Sequence, residues 1–261
     1  MKRNLDLVAQ MLRDAYHGPT IAPLRSVLDP LDAEGAYAVQ AINTRHWQAV
    51  GRKLVGRKIG LTAESVRRQL GVDQPDFGAL FADMEILDGG ILDAAQVIHP
   101  KAEAEIAFIM GRDLDDPDAS LETVIAAIDT AIPSIEIVDS RITDWQITFA
   151  DTVADNGSSA FFVLGSNPRP HAELDLYTCG MVTEVNGAVA SVGAGAACLG
   201  HPYNSVQWIA RMLAKVGEPL RAGDVLLSGA LGPMVTLAPG DHVRIHIGGL
   251  GSCAFTYGPK A

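Results

Sequence analysis

The 261-residue chain is long enough for one large domain or two smaller ones, and 48% hydrophobic with 20% charged residues is the composition of a folded globular protein rather than a disordered one. Twenty Lys plus Arg against 31 Asp plus Glu leave a net charge of -11, which argues against nucleic acid or an anionic membrane surface as a partner. Cys179, Cys198 and Cys253 make no CxxC pair, so neither a disulfide framework nor a thiolate zinc site is indicated, and a reducing compartment is expected. Met1-Lys2-Arg3 imitates the start of a signal peptide, but Asp6, Gln10 and Arg13 break any apolar run behind it. No apolar stretch of about 18 residues follows elsewhere, so a cytoplasmic protein without membrane spans is expected.

In chain order, Leu5, Val8, Met11, Leu12 and Ala15 recur at helical spacing and predict a helix to Tyr16, with Gly18 as its cap. A second helix is expected from Ala33 to Val50, then a strand from Lys53 to Gly60, then a short helix capped by Thr62 and ended at Gly71. Past Gly90 the texture changes to short β-branched runs at 102–110, 134–139, 180–185, 188–192, 224–228, 242–247 and 252–257, with Asn186-Gly187 as a hairpin turn. Two helices interrupt them, Ser120 to Thr130 and Asn204 to Val216, the latter followed by Gly217. The sum is an α+β protein: a helical N-terminal subdomain over residues 1–70 and a β-rich domain over 71–261, mainly antiparallel or mixed.

Lys101-Ala-Glu103-Ala-Glu105 carries the most chemistry, because residues two apart on a strand share a face. Glu103 and Glu105 would stand about 6.6 Å apart at the Cα atoms, close enough to close on one cation. Glu136, flanked by Ile135 and Ile137, is a third candidate, on the face opposite the core. The spacing also fits three solvated strand residues. If the three do meet, magnesium, with six oxygen ligands, would keep three positions open: two for a chelating 2-oxo acid and one for water. Arg57 and Lys58 would point to opposite faces of their strand, so one of them could enter a pocket and move protons there. Asp76, in Gln74-Pro75-Asp76-Phe77-Gly78, reads as a structural turn residue, and Asp155-Asn156-Gly157-Ser158-Ser159 reads as a loop that can also aim N–H groups and hydroxyls at an anion. The loop Ser228 to Pro233 has the same ambiguity. Gly193-x-Gly195 lacks the third glycine and the following helix of a dinucleotide fingerprint, and His201-Pro202 reads as structural.

Taken together, Lys58-Ile-Gly-Leu-Thr62, Gln69-Leu-Gly-Val-Asp-Gln-Pro-Asp-Phe-Gly78, Glu103-Ala-Glu105, Glu136, Val153-Ala-Asp-Asn-Gly-Ser158, Cys198-Leu-Gly-His-Pro202 and Gly229-Ala-Leu-Gly-Pro-Met234 resemble the 2-oxopent-4-enoate (2-hydroxypenta-2,4-dienoate) hydratases of the fumarylacetoacetate hydrolase superfamily. The resemblance runs from about residue 30 to the end. It implies a β core of the fumarylacetoacetate hydrolase C-terminal type, with Glu103, Glu105 and Glu136 as ligands of Mg²⁺ or Mn²⁺ and Lys58 and Asp76 as acid/base residues. It further implies Asn156, Ser158 and Gly229 in the substrate pocket, a small 2-oxo or 2-hydroxydienoate as substrate, and a homo-oligomer, with a neighbouring enzyme of the pathway as a further partner. Gly157 departs from the pattern, where alanine is expected. The expected reaction hydrates the dienoate to 4-hydroxy-2-oxopentanoate in meta-cleavage breakdown of aromatic compounds. The alternatives are a 4-oxalocrotonate decarboxylase, a C–C bond hydrolase of the wider superfamily, or a catalytically silent partner subunit. Against the decarboxylase, only Lys58, Arg57 and Arg141 stand out as cations able to clamp a second carboxylate.

Overall fold

The computed structural model describes residues 4–259; the basic opening Met1-Lys2-Arg3 lies outside them. Its helices are α1 (Leu5–Ala15), α2 (Ala33–Ala49), α3 (Glu64–Leu70), α4 (Leu121–Ala127), α5 (Phe149–Ala154) and α6 (Pro202–Lys215). Its strands are β1 (Leu54–Gly60), β2 (Asp76–Phe81), β3 (Glu85–Ile86), β4 (Ile91–Leu92), β5 (Lys101–Met110), β6 (Ile128–Val138), β7 (Ser159–Leu164), β8 (Arg169–Pro170), β9 (Gly180–Val185), β10 (Ala188–Ala194), β11 (Val225–Leu227), β12 (Val235–Thr236), β13 (His242–Ile247) and β14 (Gly251–Tyr257). No helix among the described residues is long and apolar enough to cross a membrane.

Two sheets organise the chain. The larger runs β2-β1-β11-β5-β6-β7-β3, with β12 added to β5 and β8 to β6, and the smaller runs β10-β9-β13-β14-β4. Parallel pairings join β1 to β11, β3 to β7 and β14 to β4, and the remaining ladders are antiparallel, so the mixed β core matches the expected α+β class. Period-two alternation decides what each face buries. On β5, Ala102, Ala104, Ile106 and Phe108 join Ile135 and Ile137 of β6 in the main core, packed with Val243, Ile245 and Phe255 of the small sheet. Each fully buried Ile, Val or Phe among them contributes roughly 1.5–3 kcal/mol. The odd-numbered β5 residues therefore face away from that core, and Glu103 and Glu105 go with them. A separate cluster, Val8, Leu12, Val39, Phe149 and Val153, packs α1, α2 and α5 together. β1 lies within residues 1–70 yet is a strand of the large sheet, paired to both β2 and β11.

Several expected boundaries move. The helix from Ser120 stops at Ala127, because Ile128 opens β6 six residues ahead of the expected start at 134. Pro133 obscured this extension; a central strand tolerates it here because it sits between the Ser134–Leu164 and Ala131–Arg169 pairings, where no neighbour asks for its missing N–H. Thr62 does not cap α3: Ala63 stands at the N-cap without a side-chain bond, and Thr62 is buried against Gly229. The stretch read as a turn at Asp76 is instead the first residue of β2. Its Gly78 is there for close approach, since a Cβ would strike the Asn156 carbonyl oxygen. α6 starts at Pro202 rather than Asn204, with the His201 imidazole accepting from the Tyr203 N–H, and Tyr16 rather than Gly18 caps α1. Asn186 and Gly187, with φ of 53° and 78°, make the expected hairpin turn.

The loop after β6 is fixed by a fully buried ion pair. Arg141 Nε donates to Asp155 Oδ1 at 2.7 Å, its backbone N–H donates to Oδ2 at 2.9 Å, and a second guanidinium nitrogen reaches the Asp155 and Ser159 carbonyls. The Tyr16 ring covers the guanidinium at 4.2 Å. Arg141→Met, which leaves Asp155 charged and buried alone, is expected to cost about 3–5 kcal/mol in urea unfolding, while the double variant Arg141→Met/Asp155→Leu should recover part of that loss.

Candidate active site

β5 and β6 are in register at Glu103–Glu136 and Glu105–Ser134, so three carboxylates come together on the sheet face opposite the main core. One oxygen of each of Glu103, Glu105 and Glu136 lies within 4.8 Å of the other two. Lys58, on β1, reaches the same place: its Nζ stands 3.2 Å from Glu136 Oε2, with both side chains buried. The contact is an ion pair rather than an aligned hydrogen bond, and both Glu136 oxygens, Glu105 Oε1 and Asp76 Oδ1 are buried without a hydrogen-bond partner. Asp76 is drawn in by β2, whose first residue pairs with Gly60 of β1. A methyl group on Gly60 would land on Asp76 Oδ1, so glycine leaves room for the acid.

The charges are set by crowding. Burial, then the neighbouring Glu136, pushes the Glu103 carboxyl up to about 7, and the same two causes hold Glu105 well above the usual range. Burial also raises Glu136 and Asp76, against the opposing pull of Lys58. For Lys58 burial works toward the neutral amine, but Glu136, Asp76, Glu103 and Glu105 outweigh it and keep the ammonium above its ordinary value. One lysine cannot balance four carboxylates in a low-dielectric space.

The turn 156–158 closes one side of the site with three successive left-handed residues, Asn156, Gly157 and Ser158, at φ of 58°, 62° and 54°. Gly157 is where alanine was expected, and its bare Cα packs on the Lys58 stem: a Cβ there would stand 2.9 Å from Lys58 Cε. The Ser158 hydroxyl lies 3.2 Å from that of Thr152. Not every residue expected in the pocket offers its side chain to it. Asn156 spends its amide on β2, accepting from the Ala79 N–H at 2.7 Å and donating to the Ala79 carbonyl at 3.0 Å. The Gly229 N–H donates to Glu105 Oε2 at 2.8 Å and so orients that carboxylate.

Above these groups lies a cavity of about 260 Å³ whose lining combines Lys58, Asp76, Glu103, Gly157 and Ser158 with the apolar Val66, Leu70, Ile147 and Met234. Lys101 and Trp145 also line it, and reading the sequence as a string missed both. The signal for Lys101 was present, since it continues the Glu103, Glu105 face by two residues. Of the other cations singled out, Arg57 faces the opposite side of β1 and pairs with Glu218 at 3.0 Å, and Arg141 is held by Asp155. His201 serves as a helix cap.

A two-sheet mixed β fold with three converging carboxylates, a buried lysine and a small half-apolar cavity defines a candidate oxygen-donor site with room beside it for a small molecule. The model for the fumarylacetoacetate (FAA) hydrolase C-terminal family matches residues 67–257, and the chain belongs to that family. It is 54% identical to 2-keto-4-pentenoate hydratase 1 of Dechloromonas aromatica over 90% of this chain and 89% of the relative. It is 41% identical to 2-hydroxyhexa-2,4-dienoate hydratase of Comamonas testosteroni over 98% of each. The solved 4-oxalocrotonate decarboxylase from Pseudomonas putida, complexed with magnesium and adipate, superposes with a TM-score of 0.93 at 37% identity, covering 98% of each chain.

Proposed function

We propose that the chain is a hydratase that adds water to 2-hydroxypenta-2,4-dienoate to give 4-hydroxy-2-oxopentanoate in meta-cleavage breakdown of aromatic compounds. The convergence of Glu103, Glu105 and Glu136 beside Lys58 and Asp76 carries this reading, in a chain about half identical to 2-keto-4-pentenoate hydratases. The donor set suits a hard divalent cation: all ligands are carboxylate oxygens, three of them buried without partners, and their mutual repulsion needs a positive charge among them. Glu103, Glu105 and Glu136 would hold Mg²⁺ or Mn²⁺, and the bound ion would supply a Lewis acid for the substrate's C2 oxygen. The decarboxylase of the same fold was solved with magnesium and with calcium.

The chain's own residues supply the proton traffic. In the first half-reaction the C2 hydroxyl loses a proton and C5 gains one, giving the 2-oxo-3-enoate. In the second, water adds its oxygen at C4 and C3 is protonated. Lys58 Nζ and the Asp76 carboxyl, both lining the cavity, are the acid/base pair for these transfers. The Ser158 hydroxyl binds the polar head of the substrate, and Asn156 and Gly229 act behind it by holding the turn and Glu105. Val66, Leu70, Ile147 and Met234 receive the hydrocarbon end and limit the water that can reach it. The same reading makes the chain a cytoplasmic homo-oligomer that can associate with a neighbouring enzyme of its pathway. It divides the chain into a helical part, 1–70, and a catalytic part, 71–261, with β1 reaching across that boundary into the sheet.

Activity should vanish on chelation and return with Mg²⁺ or Mn²⁺, and Glu103→Gln, which leaves the Lys58–Glu136 pair intact, should stay folded but bind metal weakly by calorimetry. Full turnover in metal-free buffer would remove the carboxylate triad from the mechanism. Lys58→Ala should lower kcat by about 10² to 10⁴ while oxalate still binds the metal-loaded protein; an unchanged rate would end its acid/base role. Hydratase and decarboxylase separate when one Mg²⁺-loaded preparation is offered both 2-hydroxypenta-2,4-dienoate and 2-oxohex-3-enedioate, following dienol absorbance and evolved CO₂. Loss of the dienol without CO₂ from either substrate is expected, and rapid CO₂ release with an untouched dienoate would reverse the assignment.

A further inference from the structure

Lys101 shares the β5 face of Glu103 and Glu105, and it lines the cavity that Glu103 borders. Lys58 and Lys101 are the cations in that lining. Lys58 is committed to Glu136, with Asp76 also drawing on its charge. Lys101 is not: among the described residues no hydrogen bond or ion pair holds its ammonium, although Glu103 is near enough to feel it. Its Nζ sits 4.3 Å from the centre of the Trp145 ring.

That ring is held with care. Asp144 and Trp145 both adopt left-handed backbone, at φ of 53° and 55°, an arrangement that costs energy for residues with side chains. The indole N–H donates to the His99 carbonyl at 3.1 Å, which fixes the plane of the ring. An ammonium with three donors, seated on an aromatic face and held by no hydrogen bond among the described residues, is available to an anion.

We infer that Lys101, seated on Trp145, is the residue that binds the carboxylate of the substrate, beside the metal-binding end of the cavity. The inference rests on the metal-dependent reading of the site. A divalent ion together with Lys58 leaves one negative charge uncompensated among four carboxylates, and an anionic substrate adds another. Lys101 supplies the missing positive charge from the same strand face as Glu103. Val66, Leu70, Ile147 and Met234 line the same cavity without charge, and Lys58 is held by Glu136, so Lys101 is the cation of that lining left for the substrate's anionic group. The contact would be the same in substrate and transition state, so it should govern KM more than kcat.

Lys101→Met keeps the aliphatic stem and removes the charge. In calorimetry on the Mg²⁺-loaded protein, oxalate should bind about 10- to 100-fold more weakly to the variant than to the parent chain, the range expected for losing one charge-assisted hydrogen bond. Mg²⁺ affinity should be unchanged or higher, because a positive charge beside the triad has gone, and Lys101→Arg should restore most of the oxalate binding. With the dienoate, KM should rise by a similar factor while kcat stays within about threefold. If the parent chain with Mg²⁺ binds no oxalate, the metal-site reading itself fails. If the parent binds and Lys101→Met binds equally well, or loses metal and oxalate together, the role assigned to Lys101 is wrong. Loss of adipate binding with oxalate binding intact would also overturn it, by placing Lys101 at a distal carboxylate.

Discussion

Four carboxylates crowd around Lys58 in a space from which most water is excluded, and the repulsion among those carboxylates is the constraint that the surrounding structure answers. Each ion taken from water costs several kcal/mol unless a partner replaces the lost hydration. Lys58 replaces it for Glu136, and the Gly229 N–H does so for one oxygen of Glu105. What is left over, three buried oxygens without donors, is a demand for positive charge from outside the chain. A set of acids so arranged loses stability to gain a binding site, which fits the general pattern that strained and unsatisfied groups collect where chemistry is done.

The backbone around the site is under similar tension. Leu61, Asn156, Gly157, Ser158 and Gly229 all have positive φ and all lie at or beside the cavity. Only two of the five are glycine, so the others hold a costly conformation that the rest of the fold must impose. The imposing contacts are identifiable: the Asn156 amide clasps Ala79 on β2, Asp155 is locked by Arg141, and the Asp139 N–H donates to the Ser158 carbonyl. Gly157 then has a steric reason apart from its freedom of φ, because the Lys58 stem runs past its Cα. Position 157 thereby helps aim the ammonium.

The close overlay on a decarboxylase, beside higher sequence identity to hydratases, has a physical reading. The polar groups Lys58, Asp76, Glu103, Glu105 and Glu136 all stand on strands of the large sheet. The apolar lining of the cavity comes instead from α3, Ile147 and Met234. No residue of α3 is buried in the core, so its lining residues can change without disturbing the sheets.

By itself the sequence determined the local events and the identity of the acids. Helical spacing placed α1 and α2, Asn186-Gly187 placed a hairpin, and the period of two put Glu103 and Glu105 on one face, because these depend on residues a few positions apart. The motif string then tied Glu136, Lys58 and Asp76 to them by resemblance. Only the tertiary structure decided how they meet: the β5–β6 register sets Glu103 opposite Glu136, and the β1–β2 register brings Asp76 to Gly60. It also decided that Asn156 and Gly229 point to β2 and Glu105, that Arg57 turns away, and that Lys101 joins the cavity through Trp145. Strand register and facing depend on partners up to about 170 residues away in the chain, as in the Lys58–Leu227 pairing, and no local pattern carries that information.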